Sequence, residues 1–184
     1  MTATEAAPGG GSFPGRPLRI GIIGSAAAGP EGRAAARDAG AALARAGAVV
    51  VCGGGPGVMA AAAEGAAAAG GIVLGVLPGD DPDGAAPGVT IPLATGLGES
   101  RNALVVKFSE AVIAVEGEWG TLNEAALCMK IRRPLVGLHD RLGDRFEIER
   151  FRDPAAAASR AVELAAAHRR AESGPRHTPR SEGG

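Results

Sequence analysis

Leu18-Arg19-Ile20-Gly21-Ile22-Ile23, then an amphipathic run from Glu31 to Ala46, then Ala48-Val49-Val50-Val51-Cys52, decides the fold of this chain. The two outer runs are short and continuously apolar rather than alternating, the pattern of strands buried on both faces of a parallel sheet. The run between them has helical length, so the three form a strand-helix-strand crossover unit. Toward the C-terminus, Val58 to Ala69 continues as a helix and Ile72 to Leu77 as a third strand, which makes a βαβαβ opening.

Pro78 to Gly88 has the Gly, Pro and Asp content of a loop, and a short strand is expected at Val89 to Leu93. The rhythm then resumes. A helix is expected over Glu99 to Phe108, a strand at Ala111 to Val115, a helix over Thr121 to Ile131 and a strand at Pro134 to Leu138. Pro154 suits a first helical position, and the last helix should run from there to His168. The expectation is an α/β fold: a single doubly wound, Rossmann-like, three-layer domain over residues 17–170, with a mostly parallel sheet. Residues 1–16 and 171–184 carry small and polar residues without an apolar period and read as disordered tails.

A chain of 184 residues fits one domain with a useful core. Its formal net charge of -1 and pI of 6.3 offer no basic surface, so a nucleic-acid polymer is not an expected partner. Cys52 and Cys128 have neither metal-ligand spacing nor a disulfide framework and read as small buried hydrophobes. The N-terminus lacks the order of a secretory signal, and the alanine-rich runs are broken well before spanning length. A cytoplasmic protein with no membrane partner is expected.

In open parallel α/β sheets, ligands sit outside the carboxyl ends of the strands. The loops after Ile23, Cys52, Leu77 and Val115 should therefore converge on one crevice. Gly24 and Ser25 open the first loop, whose small side chains permit close approach to the backbone. Its spacing is not that of a dinucleotide fold, and the second strand ends without a ribose-binding carboxylate. Neither Lys107 nor Lys130 sits in a phosphate-cradling P-loop. Gly53-Gly54-Gly55-Pro56-Gly57-Val58-Met59 has more glycine than a simple turn needs, which favours a ligand role over tight packing alone.

Glu116-Gly117-Glu118-Trp119-Gly120-Thr121-Leu122-Asn123-Glu124 follows a strand and opens a helix, so its backbone amides and helix terminus suit a phosphate. Thr121 and Glu124 also have the spacing of a capping box, which needs no ligand. Arg101 stands at the rim, where its planar fork suits phosphate or carboxylate. Trp119 fits either a stacking surface or a packing anchor. His139, His168 and His177 are scattered, and no metal site is visible.

Three segments in order, Cys52 to Met59, Thr95-Gly96-Leu97-Gly98-Glu99-Ser100-Arg101-Asn102, and Gly117 to Glu124, resemble the LOG-like Rossmann superfamily over about Leu18 to Leu138. Within it the chain is most similar to the bacterial branch that contains molybdenum-cofactor carrier proteins. Members often bear a "lysine decarboxylase" label, but both lysines here lie on expected helices away from the crevice, so a pyridoxal-phosphate enzyme is disfavoured. The resemblance implies that Gly117, Gly120 and Thr121 hold the phosphate; with the loops read above, the candidate ligand- and phosphate-binding set is Gly24, Ser25, Gly53, Gly54, Gly55, Met59, Arg101, Asn102, Gly117, Gly120 and Thr121. In the phosphoribohydrolases of the superfamily, Arg101 and Glu124 would be the catalytic pair. Two departures stand out: Glu116 and Glu118 replace a proline and a glycine, and Asn102 replaces a lysine. Carboxylates beside a phosphate repel it unless they turn away.

The leading expectation is a small-molecule-binding protein that holds a phosphorylated nucleotide- or pterin-type ligand in its glycine-rich crevice. No cofactor is required for that role; the bound species would be molybdenum cofactor or a nucleoside monophosphate. The alternatives are a nucleoside 5'-monophosphate phosphoribohydrolase and a scaffold whose glycines serve only packing. A homo-oligomer, dimer or tetramer, is expected, with small-residue faces such as Ala60 to Ala69 permitting close helix approach.

Overall fold

The computed structural model describes residues 15–173. Strands β1 (Arg19–Gly24), β2 (Val49–Cys52), β3 (Val73–Leu77), β4 (Ile91–Ala94), β5 (Ala111–Val115), β6 (Leu135–Leu138) and β7 (Glu149–Phe151) form one seven-stranded sheet in the order β4-β3-β2-β1-β5-β6-β7. Every neighbouring pair is parallel, so the sheet is wholly rather than mostly parallel. The helices are α1 (Pro30–Arg45), α2 (Val58–Ala68), α3 (Asn102–Phe108), α4 (Trp119–Lys130) and α5 (Pro154–Ser173).

Alternate strand residues feed two cores. Ile20, Ile22, Ile113 and Val115 pack with α1, α2 and α5 on one side, whereas Ile23, Val112 and Ala114 pack with α3 and α4 on the other. This is why the strands carry unbroken apolar runs: both faces are buried. The reversal of strand order falls between β1 and β5, where Gly24 lies in register with Val115, and that places a crevice at their carboxyl ends.

Several elements differ from the sequence expectation, the fourth strand among them, which spans Ile91–Ala94 rather than Val89 to Leu93. The helix expected from Glu99 begins as a 3-10 turn, Gly98–Arg101, and becomes α-helical only at Asn102. Helix α4 begins at Trp119 rather than Thr121, which places Thr121 at its third position and Glu124 deep in its second turn. Glu118 is the N-cap and no side chain caps the helix, so the capping-box reading of Thr121 and Glu124 fails. Strand β7 was not anticipated, and α5 continues to Ser173, into the stretch read as a tail. Arg16, also assigned to a tail, donates to Glu110 at 3.1 Å. The remainder of both expected tails lies outside the described residues.

The small residues of α2 face inward. A Cβ on Gly65 would collide with the Arg37 carbonyl of α1, and one on Gly40 with the Ala62 carbonyl of α2. Ala61, Ala62, Ala63 and Ala66 are buried in this contact. The expected association face is thus consumed by packing of α1 on α2 within the chain.

Candidate functional site at the carboxyl mouth of the sheet

The loop after β1 is fixed locally. The Ala27 N–H donates to Ser25 Oγ at 2.9 Å, and the Val58 N–H at the start of α2 donates to the Ser25 carbonyl at 3.0 Å. Gly24 is a packing glycine, since a Cβ there would strike the Val115 carbonyl and lie 2.7 Å from Val58. Ser25, Ala27 and Gly29 form one wall of a crevice of about 140 Å³, and Glu116, Gly117, Glu118 and Arg141 form the rest. The two carboxylates that break the expected motif therefore stand in the crevice itself. Glu116 has φ 54°, unusual for a side chain that is not glycine. Its carboxyl group occupies the space left by the missing side chain of Gly32 on α1.

The expected catalytic and binding residues on α4 and at the start of α3 are buried. Arg101 is only 8% exposed; Nη1 donates to Asn102 Oδ1 at 2.7 Å, while buried Nε has no hydrogen-bond partner. Its guanidinium crosses Gly53 next to Met59, and that crossing accounts for the glycine. Asn102, Thr121 and Glu124 are likewise buried, and Asn102 Nδ2 is the nearest group to the side-chain position of Gly120, at 4.0 Å. Burial pushes the Glu124 carboxyl up to about 7; Arg101 opposes the shift and Glu99 adds to it. Glu124 therefore changes charge near neutral pH beside a permanent cation, an arrangement that can balance an arriving anion or move a proton. Burial also raises the Cys52 thiol to about 11 and the Cys128 thiol to about 12, so both are the inert, protonated residues expected from their spacing.

The four loops do not share one crevice. Gly54 and Gly55 wall a separate cavity of about 700 Å³ with Pro56, Leu77 to Asp81 and Gly84. Neighbouring strands pair their loops: β2 with β3, and β1 with β5, in line with the strand order. Gly54 (φ 68°) also packs against Leu77, where a side chain would collide. Gly117 and Gly120 reach a third cavity of about 440 Å³ with Glu118, Trp119 and Leu122. Trp119 is 85% exposed, which excludes the packing-anchor reading. Arg101, Asn102, Thr121 and Glu124 wall none of these cavities.

A further cavity, of about 460 Å³, was not anticipated. Glu31, Glu116, His139, Asp140, Arg141, Arg150, Phe151 and Arg152 line it at the carboxyl ends of β6 and β7. Asp140 accepts from the Leu142 N–H at 3.1 Å and faces Arg150 Nε at 3.3 Å. His139 bridges Glu31, 3.2 Å from Nδ1, and the Arg152 carbonyl, 2.8 Å from Nε2. These residues carry no motif and are joined only by topology; their one signal in sequence is a loop crowded with arginine. Among the described residues no group of three or more His, Cys, Asp or Glu is placed to hold a metal ion. No described helix is long and apolar enough to cross a membrane.

The wholly parallel doubly wound sheet, with its likeness to solved structures, makes this a LOG-like Rossmann-superfamily protein close to the molybdenum-cofactor carriers. Residues 17–168 match the SLOG cluster4 family, and the chain belongs to it. Over 121 residues it is 37% identical to an uncharacterized protein of Archaeoglobus fulgidus, covering 66% of this chain and 80% of that one. It is similar in structure to the molybdenum cofactor binding protein of Rippkaea orientalis, with a TM-score of 0.74 and 30% identity over 80% of this chain and 96% of the other. The Moco carrier protein of Chlamydomonas reinhardtii gives a TM-score of 0.74 and 32% identity over 83% and 99%.

Proposed function

We propose that this chain is a carrier-like protein that holds a phosphorylated pterin- or nucleotide-type small molecule, molybdenum cofactor foremost, at the carboxyl mouth of its sheet. The observation that carries this reading is Arg101: a permanent cation 8% exposed, in no ion pair with any described residue, with one N–H unsatisfied. A buried charge of this kind calls for an anion to complete it. The match to a molybdenum cofactor binding protein and to a Moco carrier protein over nearly their whole lengths supports the choice of cargo. Ser25, Gly117, Gly120 and the first turn of α4 supply the backbone approach, and the cargo brings its own metal chemistry, so no resident cofactor is invoked. Titration with molybdenum cofactor should raise the melting temperature saturably, because binding the folded state alone stabilises it. Arg101→Ala should weaken that binding at least tenfold; unchanged binding would refute the reading.

The second reading, a nucleoside-monophosphate phosphoribohydrolase, is favoured by one observation, the Glu124 carboxyl held near neutral beside Arg101. Free base released from nucleoside monophosphates by the wild type and not by Glu124→Ala would establish it. The likeness to molybdenum-cofactor proteins over most of their lengths favours the carrier. Association into a dimer or tetramer belongs to the same proposal. Ile91 and Leu93, in register with Leu74 and Val76 of the α3-α4 core, remain exposed, as do Phe108 and Met129. Sedimentation of the purified chain tests it, with a monomer at all concentrations as the contrary result. A cytoplasmic location accompanies a carrier role.

A further inference from the structure

The crevice of about 140 Å³ is smaller than the roughly 300–1,000 Å³ typical of small-molecule sites, whereas the adjoining cavity of about 460 Å³ falls within that range. Glu116 and Arg141 wall both, so the two spaces meet at these side chains. A ligand whose phosphate lies at the crevice has room for its body in this cavity or in the one of about 440 Å³ that shares Gly117 and Glu118, and only the first offers both signs of unpaired charge beside a ring.

Some polar groups of the larger cavity are partnered from within. Asp140 faces Arg150, Glu31 faces His139, and Arg150 also donates to the carbonyls of Gly143 and Phe146. Three charged groups on its walls have no ion-pair or hydrogen-bond partner among the described side chains: the Glu116 carboxylate and the Arg141 and Arg152 guanidiniums. Phe151 adds a partly buried ring. One free acceptor, two free cationic forks and an aromatic face suit a ligand that has a donor edge, an anion and a flat ring.

Glu116 is built in place rather than left over. It directly follows Val115 of β5, whose partner in register, Leu138 of β6, is directly followed by His139; Glu116 and His139 both turn with positive φ, 54° and 49°. Glu116 is half-buried, and its carboxyl rests where only a glycine at position 32 leaves space. A carboxylate so fixed, with neither oxygen engaged, accepts two parallel N–H donors best.

We infer that Glu116 reads the ligand's ring: it accepts from the ring N–H and the exocyclic amine of a 2-amino-4-oxopyrimidine, the edge shared by guanine and pterin, while Arg141, which also walls the crevice, faces the phosphate. The inference rests on the binding function proposed above and narrows its ligand class. Adenine presents a ring nitrogen acceptor at the corresponding place and is rejected by the carboxylate, and hypoxanthine lacks the amine.

The test is equilibrium binding of GMP, IMP, AMP and neopterin monophosphate to the full chain, read by fluorescence of Trp119, the only tryptophan. Binding of GMP or the pterin phosphate at least tenfold tighter than AMP, with IMP between, is the expected order, and whichever of the first two is tighter tells base from pterin. Glu116→Gln should bring the preferred ligand to the AMP level while inorganic phosphate competes as before. Glu116→Asp, which keeps the charge, separates this from misfolding by retaining part of the preference. Equal affinity for GMP, neopterin monophosphate and AMP, or full discrimination by Glu116→Gln, overturns the inference and leaves the binding function standing. Binding of none of these, and of molybdenum cofactor neither, overturns both.

Discussion

The Arg101 guanidinium lies so close over Gly53 that a Cβ at that glycine would stand 2.5 Å from Nη1. The glycine-rich loop after β2 and the arginine before α3, distant in sequence, are thus one structural device: the loop surrenders a side chain so that a buried cation can cross it.

Gly53→Ala should displace Arg101 and the neighbouring Met59 sulfur, 2.6 Å from the same position. Overpacking of this kind costs about 1–3 kcal/mol, readable by chemical denaturation. Cargo affinity should fall with it. A variant of unchanged stability and affinity would show that Arg101 has slack the packing does not reveal.

The pH dependence of stability should carry the mark of Glu124. Its carboxyl sits at about 7 in the folded protein against an ordinary 4.5, so between those values the folded state holds the extra proton. Its contribution is complete below about 4.5 and is lost as pH rises through about 7, on the order of 3 kcal/mol. Glu124→Gln should flatten that slope in denaturation curves and be the more stable protein at pH 8. The same slope in both proteins would contradict the burial argument.

The opposite sign applies at the other end of the sheet. Glu110, its side chain 4% exposed, accepts from Arg169 at 2.7 and 2.6 Å and from the Arg19 N–H at 2.9 Å. Burial alone would raise its carboxyl, but the bonds from Arg169 and Arg19 outweigh burial and hold it below the ordinary range. That stability is present above the ordinary carboxylate range and is lost as pH falls through the depressed value. Arg169→Ala, which unties α5 from β1 and β5, should cost about 2–3 kcal/mol at neutral pH and less in strong acid. An equal cost at both would refute the linkage.

The strands that bear the fold were legible because burial on both faces writes itself as unbroken Ile, Val and Leu: β1, β2, β3, β5 and β6 fall within a residue or two of the apolar runs. Strand β7, Glu-Arg-Phe at the sheet edge, has two charged residues in three and leaves no such trace. Thr121 and Glu124 misled by spacing alone, since a helix that begins at Trp119 puts both past the cap. The glycines were visible as a group but not as separate devices: Gly24 and Gly54 serve packing, Gly53 serves Arg101, Gly117 serves a turn at φ 146°, and Gly120 remains open. Glu31, His139 and Arg152 meet only because a parallel sheet brings the loops after β6 and β7 to the start of α1, which no local pattern records.

The central claim is that the carboxyl mouth of this sheet holds a phosphorylated cargo through Arg101. Its most direct test is equilibrium titration of the wild type and Arg101→Ala with molybdenum cofactor, followed by the fluorescence of Trp119 at the rim. Saturable binding by the wild type, weakened at least tenfold in a folded Arg101→Ala, is the expected result. Absence of saturable binding by the wild type, or equal affinity in the two proteins, would contradict it.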